Sequence, residues 1–189
     1  MWQSGPWLRR MPKEVAHHTE LAMVAVRPGD RVIVVGAAAP ALAASLARVT
    51  GLNGQLVVVD DAPGAAAIVA HAADRTGVLV EFRAGSPTAI PAERESADLV
   101  VLVRRLGTMN DADRQRTAAE AWRVARPGGR AIAIEGGESG GFLRMWRKPS
   151  ALGADDIGAA LAAGGWKASR AIGEVGGALY VEATKPRTI

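Results

Sequence analysis

The amino-acid sequence predicts an α/β fold: a doubly wound, seven-stranded sheet, mostly parallel, with helices on both faces and an antiparallel hairpin at its C-terminal end. Two observations favour it. Short runs rich in Val, Ile and Leu alternate with alanine-rich stretches, as in parallel strands that are buried on both faces. The last two strand-like runs, 167–175 and 178–184, are joined by Gly176-Gly177, which is typical of a hairpin turn.

The first strand-helix-strand unit predicts where a ligand would bind. A β-branched run at 32–35 meets Gly36, and after an alanine-rich helix a second apolar run at 56–59 ends at Asp60 and Asp61. In such units the ligand lies outside the carboxyl ends of the parallel strands. We therefore expect Gly36 and Asp60 to flank one crevice.

The remaining elements follow in the same alternation. Helices are predicted at 13–26, 41–49, 64–76, 111–125 and 154–163, and further strands at 78–83, 97–103 and 130–134. Asp111 is the predicted N-cap of its helix, and Pro127-Gly128-Gly129 is the predicted stop. The loop after the third strand contains Pro87 and Pro91, which restrict the residue before each of them and exclude a long helix there.

Length and pattern predict one domain with two additions. Residues 1–29 are predicted to be an N-terminal segment with a helix, and residues 30–189 a single α/β domain. Trp2 and Trp7 either pack on that domain or join copies of the chain in a homo-oligomer. Residues 135–150 are glycine-rich and then alternate aromatic with basic residues. They are predicted to be either a flexible lid or a linker that packs on the sheet.

Composition excludes several classes of site. The chain has no cysteine, so disulfides and thiolate metal sites are excluded, and the adjacent His17 and His18 point about 100° apart on a helix, so they do not share a metal. No apolar run approaches the roughly 18 residues of a membrane span, and no signal-peptide core is visible, which predicts a cytoplasmic protein. The net charge of +4 comes with scattered arginines, so a nucleic-acid-binding face is not predicted.

Three segments resemble motifs of the class I S-adenosylmethionine-dependent methyltransferases. VRPGDRVIVVG (26–36) resembles the strand that delivers a glycine loop to the cofactor, and LNGQLVVVD (52–60) resembles the motif whose acidic residue binds the ribose hydroxyls. WRVARPGGRAIAIE (122–135) is similar to the helix, Pro-Gly-Gly turn and fifth strand of that family. The resemblance covers about residues 21–185 and implies a Rossmann-like sheet. Residues 102–130 look most like the type 11 and the ubiquinone and menaquinone biosynthesis C-methyltransferases.

The resemblance implies S-adenosylmethionine as the cofactor. The cofactor-binding residues that it implies are Gly36, Ala37, Ala38, Asp60, Asp61, Gly85, Ser86, Val103 and Arg104. Arg104, Arg105 and Trp146 are the predicted substrate contacts. One of the two arginines would bind an anionic acceptor or the cofactor carboxylate, unless both face solvent.

Some positions depart from the family pattern and leave two hypotheses open. Acidic or glycine residues of the family correspond here to Val34, Ala38, Pro40 and Ser86. Loss of two hydrogen bonds would weaken cofactor binding by about one to three powers of ten. The chain is therefore either an active methyltransferase for a small, apolar or quinone-like acceptor, or an inactive binding or assembly module in which the cofactor binds weakly or not at all.

No catalytic base is assigned from the sequence. His71 is predicted to lie on the surface of the third helix, and Glu135 is as consistent with a base at the end of the fifth strand as with an exposed loop carboxylate.

Overall fold

A seven-stranded sheet forms the centre of the computed structural model, which describes residues 13–137 and 152–187. The helices are α1 (Lys13–Val24), α2 (Pro40–Thr50), α3 (Ala65–Thr76), α4 (Asp111–Val124) and α5 (Ala154–Ala163). The strands are β1 (Arg31–Val35), β2 (Gln55–Asp60), β3 (Glu81–Ala84), β4 (Ala97–Val103), β5 (Ala125–Gly136), β6 (Lys167–Val175) and β7 (Ala178–Thr184). They lie in the order β3-β2-β1-β4-β5-β7-β6.

The direction of the strands confirms the predicted fold class. Strands β1 to β5 are parallel to one another, whereas β7 runs antiparallel to both β5 and β6. Gly176 and Gly177, with φ of +57° and +76°, make the turn between β6 and β7. Positive φ costs glycine little, which is why this pair joins the hairpin.

The apolar runs are continuous because the sheet is covered on both sides. In β1, Ile33 and Val35 pack into one cluster with residues of α4 and α5, and Val32 and Val34 pack into a second cluster with residues of α1, α2 and α3. A strand with polar residues at alternate positions would place all of those residues in one of these two clusters. Because both faces of the strands are apolar, helices cover the sheet on both sides.

Two element boundaries near the N-terminal half differ from the prediction. Helix α1 ends at Val24 rather than at residue 26, because Ala25 takes a left-handed φ of +49°. Strand β3 begins at Glu81 rather than at residue 78, and pairs with β2 alone. As predicted, the described chain between β3 and β4 contains turns and no helix.

The predicted ends of helix α4 are also corrected. Its N-cap is Asn110, not Asp111: the Asn110 side chain accepts a hydrogen bond of 2.9 Å from the Asp113 N–H. The helix ends at Val124, so the Pro127-Gly128-Gly129 sequence does not stop it but lies inside β5.

Strand β1 is the point where the order of the strands reverses. Its neighbours are β2, the next strand in sequence, and β4, so that Val35 lies between Val59 and Leu102. The loops that follow β1, β2 and β4 therefore leave the sheet side by side. In open α/β sheets this position is the usual ligand crevice.

Charged side chains link the three strands at the hairpin edge. Glu182 on β7 accepts from Arg130 on β5 at 3.1 Å and from Arg170 on the outer strand β6 at 2.8 Å. The Glu182 side chain is 12% exposed, whereas that of Arg170 is 72% exposed. The carboxylate thus pairs with a cation from each neighbouring strand.

Three predictions concern residues that the structure does not describe. The N-terminal tryptophans Trp2 and Trp7, and the part of the predicted lid or linker from residue 138 to residue 150 with Trp146 in it, lie outside the described ranges.

Trp166 anchors the cluster on the side of α4 and α5. It is 1% exposed, its ring meets Trp122 edge-on at 5.5 Å, and its indole N–H donates to the Ala118 carbonyl at 2.9 Å. Its large buried area and its satisfied polar atom both stabilise the fold.

We expect Trp166→Ala to lower the free energy of unfolding by about 3 to 5 kcal/mol, because it removes a large buried ring and leaves a cavity. Urea denaturation followed by circular dichroism measures this change. Leu79→Ala, at a site that is 83% exposed, serves as the control and should change stability by less than about 0.5 kcal/mol. Equal effects of the two substitutions would contradict the assigned role of Trp166.

Candidate cofactor site at the carboxyl edge of the sheet

Asp60 is the acidic side chain that the fold holds most firmly at the crevice. It ends β2 and is 4% exposed. Its Oδ2 accepts a hydrogen bond of 2.6 Å from the Ala37 N–H, and its Oδ1 accepts one of 2.8 Å from the Ala62 N–H. The carboxylate therefore ties the loop after β1 to the loop after β2.

The environment of Asp60 keeps it ionised. Burial acts to raise the pKa of Asp60, but the N–H groups of Ala37 and Ala62 and the guanidinium of Arg105 outweigh it and hold the pKa below its usual 3.8. The carboxylate is thus a permanent anion at neutral pH.

Gly36 brings the loop after β1 against strand β4. Its φ is +108°, and a Cβ at this position would lie 2.5 Å from the Val103 carbonyl oxygen. The same Cβ would lie 3.2 Å from Cγ and Nε of Arg105. The glycine is therefore required by the approach of protein backbone, whether or not a ligand binds.

Arg105 lies across this crevice. Its Nη2 forms an ion pair with Oδ1 of Asp60 and lies 3.4 Å from Oδ1 of Asp61. The arginine side chain is 20% exposed, whereas that of Asp61 is 53% exposed. Arg105 is thus largely covered, with its guanidinium on the two acidic residues that the sequence nominated for cofactor binding.

Arg104 makes the turn that aims Arg105 into the crevice. Its φ is +51°, a left-handed conformation that costs a branched or long side chain roughly 1 to 2 kcal/mol. Its N–H donates to the Ile134 carbonyl at 2.7 Å, its Nε donates to the Gly136 carbonyl at 2.8 Å, and Nη1 lies 3.5 Å from the Ala38 carbonyl. The strained residue bridges the loops after β1 and β5.

Glu135 binds the backbone of the same turn. The structure thereby corrects the interpretation of Glu135 as an exposed loop carboxylate. It is 3% exposed, so it is not an exposed loop carboxylate. Its Oε1 accepts from the Leu106 N–H at 2.7 Å, and the N–H groups of Gly107 and Arg105 also bond to the carboxyl. Burial raises the pKa of Glu135 above its usual 4.5, and these three donors oppose the shift.

The structure brings most of the predicted site residues to one edge. Gly85 donates to the Asp60 carbonyl at 3.2 Å, and a Cβ on it would lie 2.7 Å from Cδ of Pro91. Ser86 follows, and its hydroxyl pairs with that of Thr88 at 2.9 Å. The residues that meet at the ends of β1 to β4 are Gly36, Ala37, Ala38, Asp60, Asp61, Gly85, Val103, Arg104 and Arg105. Their role in binding stays a prediction.

Neither of two surface cavities elsewhere includes the crevice residues. A cavity of about 370 Å³ lies between the loop after β3 and helix α4, and one of about 350 Å³ lies between α5 and β6. Both are lined without Gly36, Asp60 or Arg105. Beside Asp60 and Gly36 lies the side chain of Arg105.

Sequence reasoning missed two functional features of this edge. It did not pair Arg105 with Asp60, although a visible signal was present: two acidic residues follow β2, two arginines follow β4, and both strands flank β1. It also did not assign Glu135 to the turn after β4. Its position at a strand end gave no sign that it would be buried.

The described residues contain neither a metal-binding cluster nor a membrane-spanning helix. Within 13–137 and 152–187 no group of three or more His, Asp or Glu side chains is arranged to hold a metal ion. In the same ranges no helix is long and apolar enough to cross a bilayer.

We expect Gly36→Ala to lower the free energy of unfolding by about 2 kcal/mol more than Gly64→Ala. Both glycines have positive φ, but a Cβ on Gly64 meets nothing within 4 Å, so the control isolates backbone strain from collision with Val103. Urea denaturation of the two variants measures the difference. Equal losses would mean that the loop after β1 does not lie against β4 as described.

The lowered pKa of Asp60 predicts a dependence of stability on pH. A depressed carboxyl pKa stabilises the fold above the unfolded value of 3.8, and this stabilisation is lost as the pH falls through the folded value. The free energy of unfolding should therefore fall more steeply in the unmodified protein than in Asp60→Asn as the pH drops below about 5. Parallel curves would contradict the assignment of Asp60 as an ionised, paired group.

Comparison with known proteins supports the geometry. Residues 32–129, 98 of the 189 residues, match the model of a family described as a methyltransferase domain. The matched range runs from β1 to Gly129 near the start of β5, and so contains the whole crevice except the end of β5. No protein with a curated functional description matches the sequence.

Several solved structures share the fold over nearly the whole chain. An S-adenosylmethionine-dependent methyltransferase from Aquifex aeolicus is 19% identical, with a TM-score of 0.75 over 94% of this chain and 95% of that one. The [4+2]-cyclase SpnF is 17% identical, with a TM-score of 0.72 over 93% and 81% of the two chains. A putative methyltransferase of Haloferax volcanii, in complex with the activator Trm112, is 18% identical, with a TM-score of 0.67 over 93% and 92%.

At these identities the solved structures establish the fold alone, whereas the family model covers just over half of the chain, from the first strand to the start of the fifth. The chain belongs to the methyltransferase domain family, and this membership implies S-adenosylmethionine as its cofactor.

Proposed function

We propose that the protein transfers a methyl group from S-adenosylmethionine to a small-molecule acceptor. The observation that carries the proposal is the ionised carboxylate of Asp60, held by two backbone N–H groups at the carboxyl end of β2 beside the point where strand order reverses. A fixed anion at this position suits the vicinal hydroxyls of a nucleoside, which are hydrogen-bond donors.

The residues at the crevice fit such a nucleoside on one condition. Each carboxylate oxygen of Asp60 has two acceptor positions, of which the Ala37 and Ala62 N–H groups use one apiece. The remaining position on Oδ1 is taken by Arg105. The two ribose hydroxyls can therefore donate to separate oxygens of the carboxylate only when the Arg105 side chain has moved aside.

Methyl transfer requires alignment more than side-chain chemistry. When bound, S-adenosylmethionine supplies a methyl group on a positively charged sulfur, which is already strongly electrophilic. Asp60 would fix the sugar and the loop at Gly36 would set the distance of the backbone from it, so that the acceptor atom approaches along one line. Arg104, poised between Ala38 and Gly136, provides a cation for an anionic group of either ligand.

The described residues favour an acceptor that needs no base. His71 is exposed on α3, and Glu135 is buried with its carboxyl on three backbone N–H groups, so neither is available to a substrate at the crevice. An acceptor whose nucleophilic atom is already ionised at neutral pH meets this condition. The enolate of an acidic hydroxyquinone is such an acceptor, in keeping with the likeness of residues 102–130 to quinone C-methyltransferases.

A binding module without catalysis is the second candidate. The observation that favours it is the occupation of Asp60 by a guanidinium of the same chain, combined with Ala38 and Pro40 in the loop where the family has glycines. In this case the fold would be kept for its surface and the crevice would remain closed.

Titration calorimetry with S-adenosylhomocysteine tests the proposed cofactor site. We expect saturable binding to the unmodified protein and at least about tenfold weaker binding to Asp60→Asn, because the charged acceptor for the sugar is lost. Asp98→Asn, at the opposite edge of the sheet beside Arg126, is the control and should bind as the unmodified protein does. Unchanged affinity in Asp60→Asn would contradict the site.

Methyl transfer to defined acceptors then separates the two candidates. A hydroxyquinone with an acidic hydroxyl, incubated with S-adenosylmethionine, should gain one methyl group by mass spectrometry, and the same quinone with that hydroxyl already methylated should not react. Binding of the cofactor with no transfer to ionised quinone, phenol or thiol acceptors would favour the binding module.

A further inference from the structure

We propose that Arg105 is a latch on the nucleoside site: its guanidinium holds the Asp60 carboxylate, and a ribose must displace it to bind. The inference rests on the proposed function and adds a residue that determines which ligands enter. It also differs in sign from the role that the sequence predicted for Arg105, since a latch opposes binding and a ligand contact favours it.

The first argument is that the Arg105 side chain lies over both Gly36 and Asp60. The aliphatic arm of Arg105 passes over Gly36, where an added Cβ would lie 3.2 Å from its Cγ and Nε. The guanidinium then reaches Oδ1 of Asp60 and lies 3.4 Å from Oδ1 of Asp61. A nucleoside beside Gly36 with its sugar on Asp60 would occupy the space that this side chain fills.

The second argument comes from the acceptor positions of Asp60. Two neighbouring hydroxyls bind a carboxylate best when each donates to its own oxygen. Oδ2 keeps a free position beside the Ala37 N–H, but on Oδ1 the Ala62 N–H and Arg105 use both. The exchange therefore replaces one guanidinium contact by two hydroxyl contacts, and the backbone N–H groups remain in place.

The third argument is that only the side chain has to move. The backbone of the turn is fixed by the Glu135 carboxyl on the Leu106 N–H, by the Arg104 N–H on Ile134, and by Nε of Arg114, which donates to the Leu106 carbonyl at 2.8 Å. Rotation about the unbranched side-chain bonds of Arg105 opens the site with this frame intact. The latch is thus a change of rotamer, not of the loop.

The latch also selects among ligands. Opening it separates a largely covered ion pair, which is weak in high dielectric and stronger where water is excluded. Two hydroxyl contacts to Asp60 offset the free energy of breaking this ion pair. A 2′-deoxynucleoside has one hydroxyl fewer, so it should bind the unmodified protein far less well than it binds a variant without Arg105.

Affinity for an uncharged nucleoside tests the latch directly. We expect 5′-methylthioadenosine to bind Arg105→Met about tenfold more tightly than the unmodified protein in titration calorimetry, because no ion pair has to be broken. In the unmodified protein the affinity should rise about twofold between about 20 mM and about 500 mM NaCl, since salt screens the ion pair, and it should stay flat in Arg105→Met.

Two controls accompany this test: a variant that loses the same charge elsewhere, and the salt series on the unmodified protein. Arg170→Met removes one cation from an ion pair on β6, far from the crevice in the sheet order, and should leave both affinity and its salt dependence unchanged. Should Arg105→Met fail to fold, Arg105→Gln and the salt series on the unmodified protein give the same answer.

The outcomes separate the latch from the proposed function. If 5′-methylthioadenosine binds the unmodified protein and binds Arg105→Met equally or more weakly, the latch is overturned and the proposed cofactor site is retained. No binding of 5′-methylthioadenosine or S-adenosylhomocysteine to any folded variant overturns both, because release of Arg105 then opens no site.

Discussion

The ion pair between Asp60 and Arg105 is the interaction on which the site depends. It exists because β1 lies between β2 and β4, which places an acidic residue and an arginine on the two sides of Gly36. Without a side chain at that glycine, the two charged groups are free to meet above it. The same contact neutralises the crevice and closes it, so one pair of residues determines both its charge and its access.

Two buried carboxyl groups hold the loops around the crevice in place. Asp60 binds N–H groups of the loops after β1 and β2, and Glu135 binds N–H groups of the turn after β4. In each case the acid lies at or next to the end of a buried strand and its carboxyl accepts hydrogen bonds from backbone N–H groups, which makes burial tolerable. The loops around the crevice are thus fixed by side chains that project from the rigid sheet.

The sequence was sufficient for the architecture and only partly sufficient for the site. Apolar runs and alanine-rich helices predict the order of elements because burial on two faces leaves a strong local pattern, as in residues 32–35 and 97–103. The N-cap at Asn110, the left-handed Arg104 and the burial of Glu135 were not predictable, since each depends on neighbours that only the folded chain supplies. The pairing of Arg105 with Asp60 lies between these cases: strand order predicts proximity, but the rotamer that joins the two is a property of the packed crevice.

The ladder of charges at Glu182 has a consequence for the behaviour of the chain in crowded solution. An outer strand with free backbone groups is a template on which another chain can add. Here Arg170 is tethered to Glu182 and largely exposed, and Lys167 is exposed at the start of the same strand. If β6 of a second copy approached this strand, the cations of both copies would have to lose water and would repel one another. The hairpin that completes the sheet therefore also protects this edge from edge-to-edge aggregation.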